Sequence, residues 1–198
     1  LVIPSSSIPF KNQLNICSIV YDSIKKLLES LNMKSQIGDE GGISPPIKSD
    51  KDALSFLIQA IKSTKFQLNH EVFLGIDCAS SNFYNNEKYK ISDKAIPLSS
   101  NDLLAYYKGL SSDFPLLYLE DSFSEEDWDA WNNLTIRIPQ VSLIAGDDLT
   151  ATNPLRLKKA FDKKAITGII IKPNQIGTVT EALEVVEISR KKGLKIIV

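Results

Sequence analysis

Cysteine and histidine are scarce in this chain: Cys17, Cys78 and His70 are the only ones among 198 residues. The two cysteines form no Cys-x-x-Cys pair, and one histidine cannot complete a histidine-rich metal site. The cysteine usage points to a reducing compartment, and any bound metal is expected to take oxygen ligands. Charge of one sign is missing too. Twenty-three lysines and arginines oppose 24 acids, leaving a net charge of -1 and a pI near 5.9, with the lysines scattered among the acids. Such a surface has no field to gather nucleic acid or anionic lipid, so neither is an expected partner. The apolar runs are four to six residues long, against the roughly 20 needed to cross a bilayer. The first residues also lack the basic-then-apolar layout of a signal peptide. A cytoplasmic protein without a membrane role is the expectation.

What is present is the composition of an ordinary globular domain, 43% hydrophobic and 24% charged. No low-complexity tract or interdomain linker interrupts it, so residues 1–198 are expected to form a single domain. Short, continuous apolar runs alternate with segments of helical period. The runs Val72–Ile76, Leu116–Leu119, Val141–Ala145, Thr167–Ile171 and Leu194–Val198 have the form of strands buried on both faces, and the alternation predicts a parallel α/β architecture, a sheet covered by helices. Between them, Ile16, Val20, Ile24, Leu27, Leu28 and Leu31 share one helical face, as do Leu54, Leu57, Ile58 and Ile61. Helix starts are marked at Ser49 with Asp52, at Asn153 before Pro154, and at Thr178 with Glu181. Gly38–Pro46 and the polar stretch Asn82–Ser100, with its Asn-Asn turn, are expected to be loops.

The residues that follow the buried runs carry the chemistry. Asp77 follows Ile76, Glu120 follows Leu119, Asp147 comes one glycine after Ala145, and Lys172 follows Ile171. In a parallel barrel these four strand ends share the C-terminal face, where such folds build their sites. Taken singly, each acid has the ordinary reading of a helix cap or a solvated loop residue. Taken together, three converging carboxylates would repel and need raised pKa values or a cation, for which Mg²⁺, Mn²⁺ and Ca²⁺ are the hard-ion choices. Mg²⁺ is the expectation. A lysine beside them can act as counter-ion or, with its pKa depressed, as a general base. Asp121 and Asp148 each neighbour a proposed ligand and are expected to bond behind it or lie at the surface. Glu40 stands between glycines in Gly38-Asp39-Glu40-Gly41-Gly42, where the backbone can turn sharply toward a ligand. His70 is expected in a loop, Trp128 and Trp131 in packing, and Cys78 as a small buried filler.

Five segments together resemble the enolase family: Gly38-Asp-Glu-Gly-Gly42; Gly75-Ile-Asp-Cys-Ala-Ser-Ser81; Leu119-Glu-Asp121; Gly146-Asp-Asp-Leu-Thr150 with Thr152-Asn153-Pro154; and Ile171-Lys-Pro-Asn-Gln-Ile-Gly177. They occur in the family's order across the whole chain. The resemblance implies a TIM-type barrel of the enolase kind and a phosphopyruvate hydratase activity that dehydrates 2-phosphoglycerate to phosphoenolpyruvate. It implies Asp77, Glu120 and Asp147 as Mg²⁺ ligands, Lys172 as the base at C2 and Glu40 as the acid that assists loss of the C3 hydroxyl. A second Mg²⁺ on the substrate and a homodimer or larger homo-oligomer are implied as well. An active site with three acids, one lysine and Mg²⁺ is the pattern already described for the enolase superfamily.

By the same resemblance, Leu1–Pro4 matches the tail of the second barrel strand and Val198 precedes the family's Ser-His-Arg-Ser-Gly motif. The expectation is therefore an incomplete barrel without the family's N-terminal α+β domain, and inactive on its own. Asn82, Ser122 and Ile43-Ser44 depart from the residues the family commonly carries, but none of them is a ligand or the base. Two other classes stay open on the residues: a different enzyme of the same superfamily, and a non-catalytic binding or structural module.

Overall fold

The longest amphipathic stripe in the sequence becomes the longest helix. In the computed structural model, which describes residues 1–198, α1 (Phe10–Ser30) buries Ile16, Val20 and Leu28. The chain divides into two units, Val2–Leu74 and Gly75–Val198 with Leu1. In the first, α1 packs on α2 (Asp50–Lys62), which buries Leu54, Ala60 and Ile61. The Ser23 hydroxyl donates to the Ala60 carbonyl between them at 2.7 Å. Ser49 caps α2 by accepting from the Asp52 amide at 3.1 Å, as its spacing predicts.

β1 (Val2–Pro4) pairs antiparallel with the start of β4 (Val72–Asp77), Val2 opposite Leu74 and Pro4 opposite Val72. An all-parallel pattern does not extend to this strand. The Gly38–Pro46 segment is more ordered than a loop, because β2 (Gln36–Ile37) and β3 (Ile43–Ser44) pair around it. The glycine-rich stretch fills the turn. Gly41 takes a φ of +82°, and the Gly38 amide closes the turn on the Gly42 carbonyl at 2.9 Å. Glycine meets that conformation without strain.

The second unit is the site's scaffold. Its sheet runs in the order of the end of β4, then β7 (Leu116–Glu120), β8 (Leu143–Gly146), β9 (Gly168–Ile170) and β10 (Lys195–Ile197). β7 to β10 are parallel, with Glu120 level with Ala145 and Ala145 level with Gly168. The helices α3 (Ser100–Asp113), α4 (Trp128–Arg137), α5 (Pro154–Asp162) and α7 (Val179–Lys191) alternate with these strands, and α6 (Pro173–Ile176) is a single turn. Trp131, Leu134, Ile138, Ile144, Leu149, Leu157, Ile169 and Val185 are almost wholly buried and form the core. Gly168 is closely packed: a Cβ there would lie 2.6 Å from Leu143 Cδ1 and 3.2 Å from the Lys195 carbonyl oxygen, so the Leu143 side chain would have to move.

Two expectations change. Val141 is buried, but it sits in a turn after Pro139, and β8 begins two residues later. Inside Asn82–Ser100, β5 (Tyr84–Asn85) and β6 (Lys88–Tyr89) form a hairpin. Its two-residue turn is Asn86-Glu87, with φ of 47° and 58°, rather than the Asn-Asn pair. Tyr89 drives this order: it is fully buried against Phe123, Phe83 and Tyr84, and its hydroxyl donates to Asp127. No helix is long and apolar enough to cross a membrane.

Candidate metal centre

Parallel strands deliver their C-terminal residues to one end of a sheet, and β4, β7 and β8 each end beside an acid. Asp77 closes β4 and Glu120 closes β7, while Asp147 follows the last residue of β8. Carboxylate oxygens of Asp77, Glu120 and Asp121 lie within 4.8 Å of one another, as do those of Asp121, Asp147 and Asp148. Asp121 belongs to both groups. The acids thus form one continuous patch whose two ends are Asp77 with Glu120 and Asp147 with Asp148.

Local bonds aim each acid. Asp77 Oδ1 accepts from the Ala79 amide at 3.0 Å, and Glu120 Oε2 accepts from the buried Tyr118 hydroxyl at 2.6 Å. These bonds leave one oxygen of each without a hydrogen-bond donor. Asp147 is buried and accepts from Lys172 Nζ at 2.5 Å on Oδ2 and from Gln175 Nε2 at 2.8 Å on Oδ1. Lys172 lies two residues past β9 and caps α6. Its amide donates to Thr152 Oγ1 at 2.8 Å, and that hydroxyl bonds Gln175 Oε1 at 3.2 Å. Thr152, Gln175, Lys172 and Asp147 therefore form one network joining the ends of β8 and β9.

Asp121 has a different role. It is buried, with both oxygens taken by main-chain donors: the Asp147 amide on Oδ1 and the Asp148 amide on Oδ2, each at 3.0 Å. It fixes the backbone that carries Asp147. Sequence left it between a bonding and a surface role; the signal that could have decided was its place directly after Glu120, where strand alternation turns it away from its neighbour.

The electrostatics are those of crowded acid. Burial raises the pKa of Asp77 and of Glu120, and the other carboxylates raise both further. Lys172 and the local hydrogen bonds pull the other way. Asp121 is pushed up to about 7, by burial first, against the pull of the Asp148 amide. Desolvation and like charge are the two physical causes. A hard divalent cation suits this donor set: it is all oxygen, with two carboxylate oxygens unclaimed by hydrogen bonds and a single lysine to offset several acids.

Glu40 is exposed at the tip of the β2–β3 hairpin, in the first unit, and neither acidic group includes it. His70 is exposed in a turn, and Trp128 and Trp131 are packed, as expected from sequence. Sequence reasoning missed Gln175 and Thr152 as partners of the cluster. Gln175 stands three residues after Lys172 on one helical turn, a spacing that puts both on the same side.

Comparison with known proteins gives the family. All 198 residues match the family described as enolase, C-terminal TIM barrel domain. The enolase of Aeropyrum pernix is 38% identical over 196 residues, 98% of this chain and 45% of the relative. The enolase of Ehrlichia ruminantium is 36% identical over 197 residues, 100% of this chain and 46% of the relative. The chain spans less than half the length of these curated relatives.

Proposed function

Because this chain belongs to the enolase family, matching its C-terminal TIM barrel domain from end to end, we propose that it carries the metal ligands and the base of a phosphopyruvate hydratase. The observation that supports this best is Lys172 Nζ at 2.5 Å from Asp147, just past β9, the strand beside β8. A base must sit within hydrogen-bond reach of the group that positions it and stay open to substrate. The Lys172 side chain keeps 46% of its surface exposed while Asp147 holds its tip.

In this reading Asp77, Glu120 and Asp147 hold Mg²⁺. When bound, the ion offsets negative charge that gathers on the substrate carboxylate as the proton at C2 leaves. Lys172, as the neutral amine, takes the C2 proton of 2-phosphoglycerate. The electron pair of that C–H bond becomes the C2–C3 double bond, and the C3–O bond breaks. Glu40 gives its proton to the departing hydroxyl, which leaves as water, and phosphoenolpyruvate remains. Gln175 and Thr152 keep Asp147 and the Lys172 backbone in register. Residues 1–198 form part of the catalytic barrel domain of a cytoplasmic, homo-oligomeric enzyme.

The test uses the polypeptide that contains residues 1–198, supplied with Mg²⁺ and 2-phosphoglycerate and followed by the ultraviolet absorbance of phosphoenolpyruvate. Turnover is expected, with Lys172→Ala slower by roughly 10²- to 10⁴-fold, the scale of a lost general base. A variant with normal turnover would remove Lys172 as base. A folded, inactive wild type would favour a binding or structural module.

A further inference from the structure

Each carboxylate of the cluster is followed by a bend that a side-chain-bearing residue seldom adopts. Ala79 has φ of 46°, Asp121 of 41°, and Ala151 and Thr152 of 45° and 53°. Backbone held in this region costs about 1–3 kcal/mol per residue and persists only where surrounding contacts over-determine it. Asp121 supplies one such contact, tying the start of the loop after β7 to Asp147 and Asp148. The far end of that loop needs another.

Arg156, in the first turn of α5, meets that need. Its Nε donates to the Leu149 carbonyl at 2.6 Å, in the loop after β8. Its Nη2 donates to the Glu125 carbonyl at 2.8 Å and its Nη1 to Glu126 Oε1 at 2.7 Å, both in the loop after β7. Trp128 lies under the guanidinium, 5.3 Å from its ring centroid, and its indole N–H donates to the other Glu126 oxygen at 3.1 Å. The Glu125 carboxylate in turn accepts from the Ser81 hydroxyl, in the loop after β4. The helix that carries Arg156 is itself fixed, by the Asn153 cap and by buried Leu157 and Ala160.

We propose that Arg156 is a positioning residue whose guanidinium fastens the loop after β7 to the loop after β8 and, through Glu125 and Ser81, to the loop after β4, so that the three metal-binding acids keep their spacing. The role rests on the metal-centre reading above. Two of the three bonds go to main-chain carbonyls, so they fix backbone rather than the mobile end of a side chain. The Glu126 side chain is 63% exposed, and an ion pair that open to water contributes little. The carbonyl bonds are what matter. A lysine could not replace them, since one ammonium lacks the planar fork that reaches three diverging acceptors.

Two measurements on this chain test the assignment: amide hydrogen exchange without metal, and a calorimetric Mg²⁺ titration well below the melting temperature. In Arg156→Ala, amides of residues 122–128 and 148–153 are expected to exchange faster together, by about tenfold or more. Its Mg²⁺ dissociation constant should rise at least ~10-fold, the usual scale for partners behind metal ligands. A lower melting temperature alone would move neither quantity in this pattern. Lys158→Ala, on the same helix and paired only with Asp162, should change neither. Exchange that speeds up only within α5, or an unchanged Mg²⁺ affinity in the folded variant, would overturn the proposal. If Arg156→Ala does not fold, Arg156→Lys decides by the same two criteria. A wild type that fails to bind Mg²⁺ refutes the metal-centre reading separately, while the exchange comparison still decides whether Arg156 holds the loops.

Discussion

Gly146→Ala is the sharpest test of how tightly the proposed metal centre is packed, because a single added methyl meets it from behind. Gly146 ends β8 directly before Asp147. A Cβ built there would lie 2.7 Å from Leu149 Cβ, 3.1 Å from Cδ2 and 3.4 Å from Cγ. Carbon atoms in contact prefer about 3.5–4.0 Å, so the first pair must part by close to an ångström. Leu149 Cβ is fixed to the main chain, and the side chain is fully buried, so no rotamer change relieves the contact. The turn 147–150 has to move, although the Asp147 and Asp148 amides are held by Asp121. Overpacking of this kind costs about 1–3 kcal/mol, which for a chain of this size lowers the melting temperature by roughly 3–10 °C. Because the moving segment carries Asp147, Mg²⁺ affinity should fall with it. Differential scanning calorimetry of the metal-free chain and a Mg²⁺ titration check the two effects. A variant that melts within a degree of wild type and binds Mg²⁺ equally well would refute the claim that this turn is immobile.

Three further substitutions probe single features by thermal melting. Asp121→Asn keeps the shape but offers one acceptor where two amides need one each. A buried N–H left unpaired costs about 1–3 kcal/mol, so melting and Mg²⁺ affinity should both drop, and an unchanged variant would remove Asp121 as the brace of Asp147. Ser122→Ala should raise stability by about 1 kcal/mol, since the Ser122 hydroxyl is fully buried with no hydrogen-bond partner; a lower melting temperature would show that the hydroxyl is bonded. Glu87→Gly should gain up to about 1 kcal/mol, because the turn Asn86-Glu87 puts both residues at positive φ, where a glycine in the second place is strongly preferred. A loss would contradict the hairpin geometry.

The strands β7, β8 and β9 were legible because they are largely buried on both faces, which forces continuous apolar runs such as Leu116–Leu119; β10 carries such a run too, although none of its residues is buried. Helix starts were legible for a local reason. Asn153 accepts from the Leu155 and Arg156 amides and Thr178 from the Glu181 amide, contacts within three residues that spacing alone predicts. The failures had non-local causes. The β5–β6 hairpin carries little apolar patterning of its own; Tyr89 is ordered by Phe123, 34 positions along the chain, and by Asp127, 38 along. The start of β8 depends on whether Val141 pairs with a neighbouring strand, and burial without pairing leaves the same apolar letter in the sequence.

The site divides along the same line. That an acid or a lysine ends each of four successive strands could be counted from the sequence, since the strand ends set the positions. How those side chains group could not, because grouping depends on register. Glu120 is level with Ala145, so Asp147 stands two residues further along its strand. That stagger lets Asp121 reach both the Asp147 and Asp148 amides. Asp121 therefore lies between the two ends of the acidic patch, and its carboxylate is used up on backbone. The same register brings Leu149 and Glu125 within reach of one guanidinium from α5. A metal centre read from strand ends alone is a set of ligands without spacing. The spacing comes from Asp121, marked in the sequence only by its place after Glu120, and from Arg156, which nothing in the sequence separates from a surface charge.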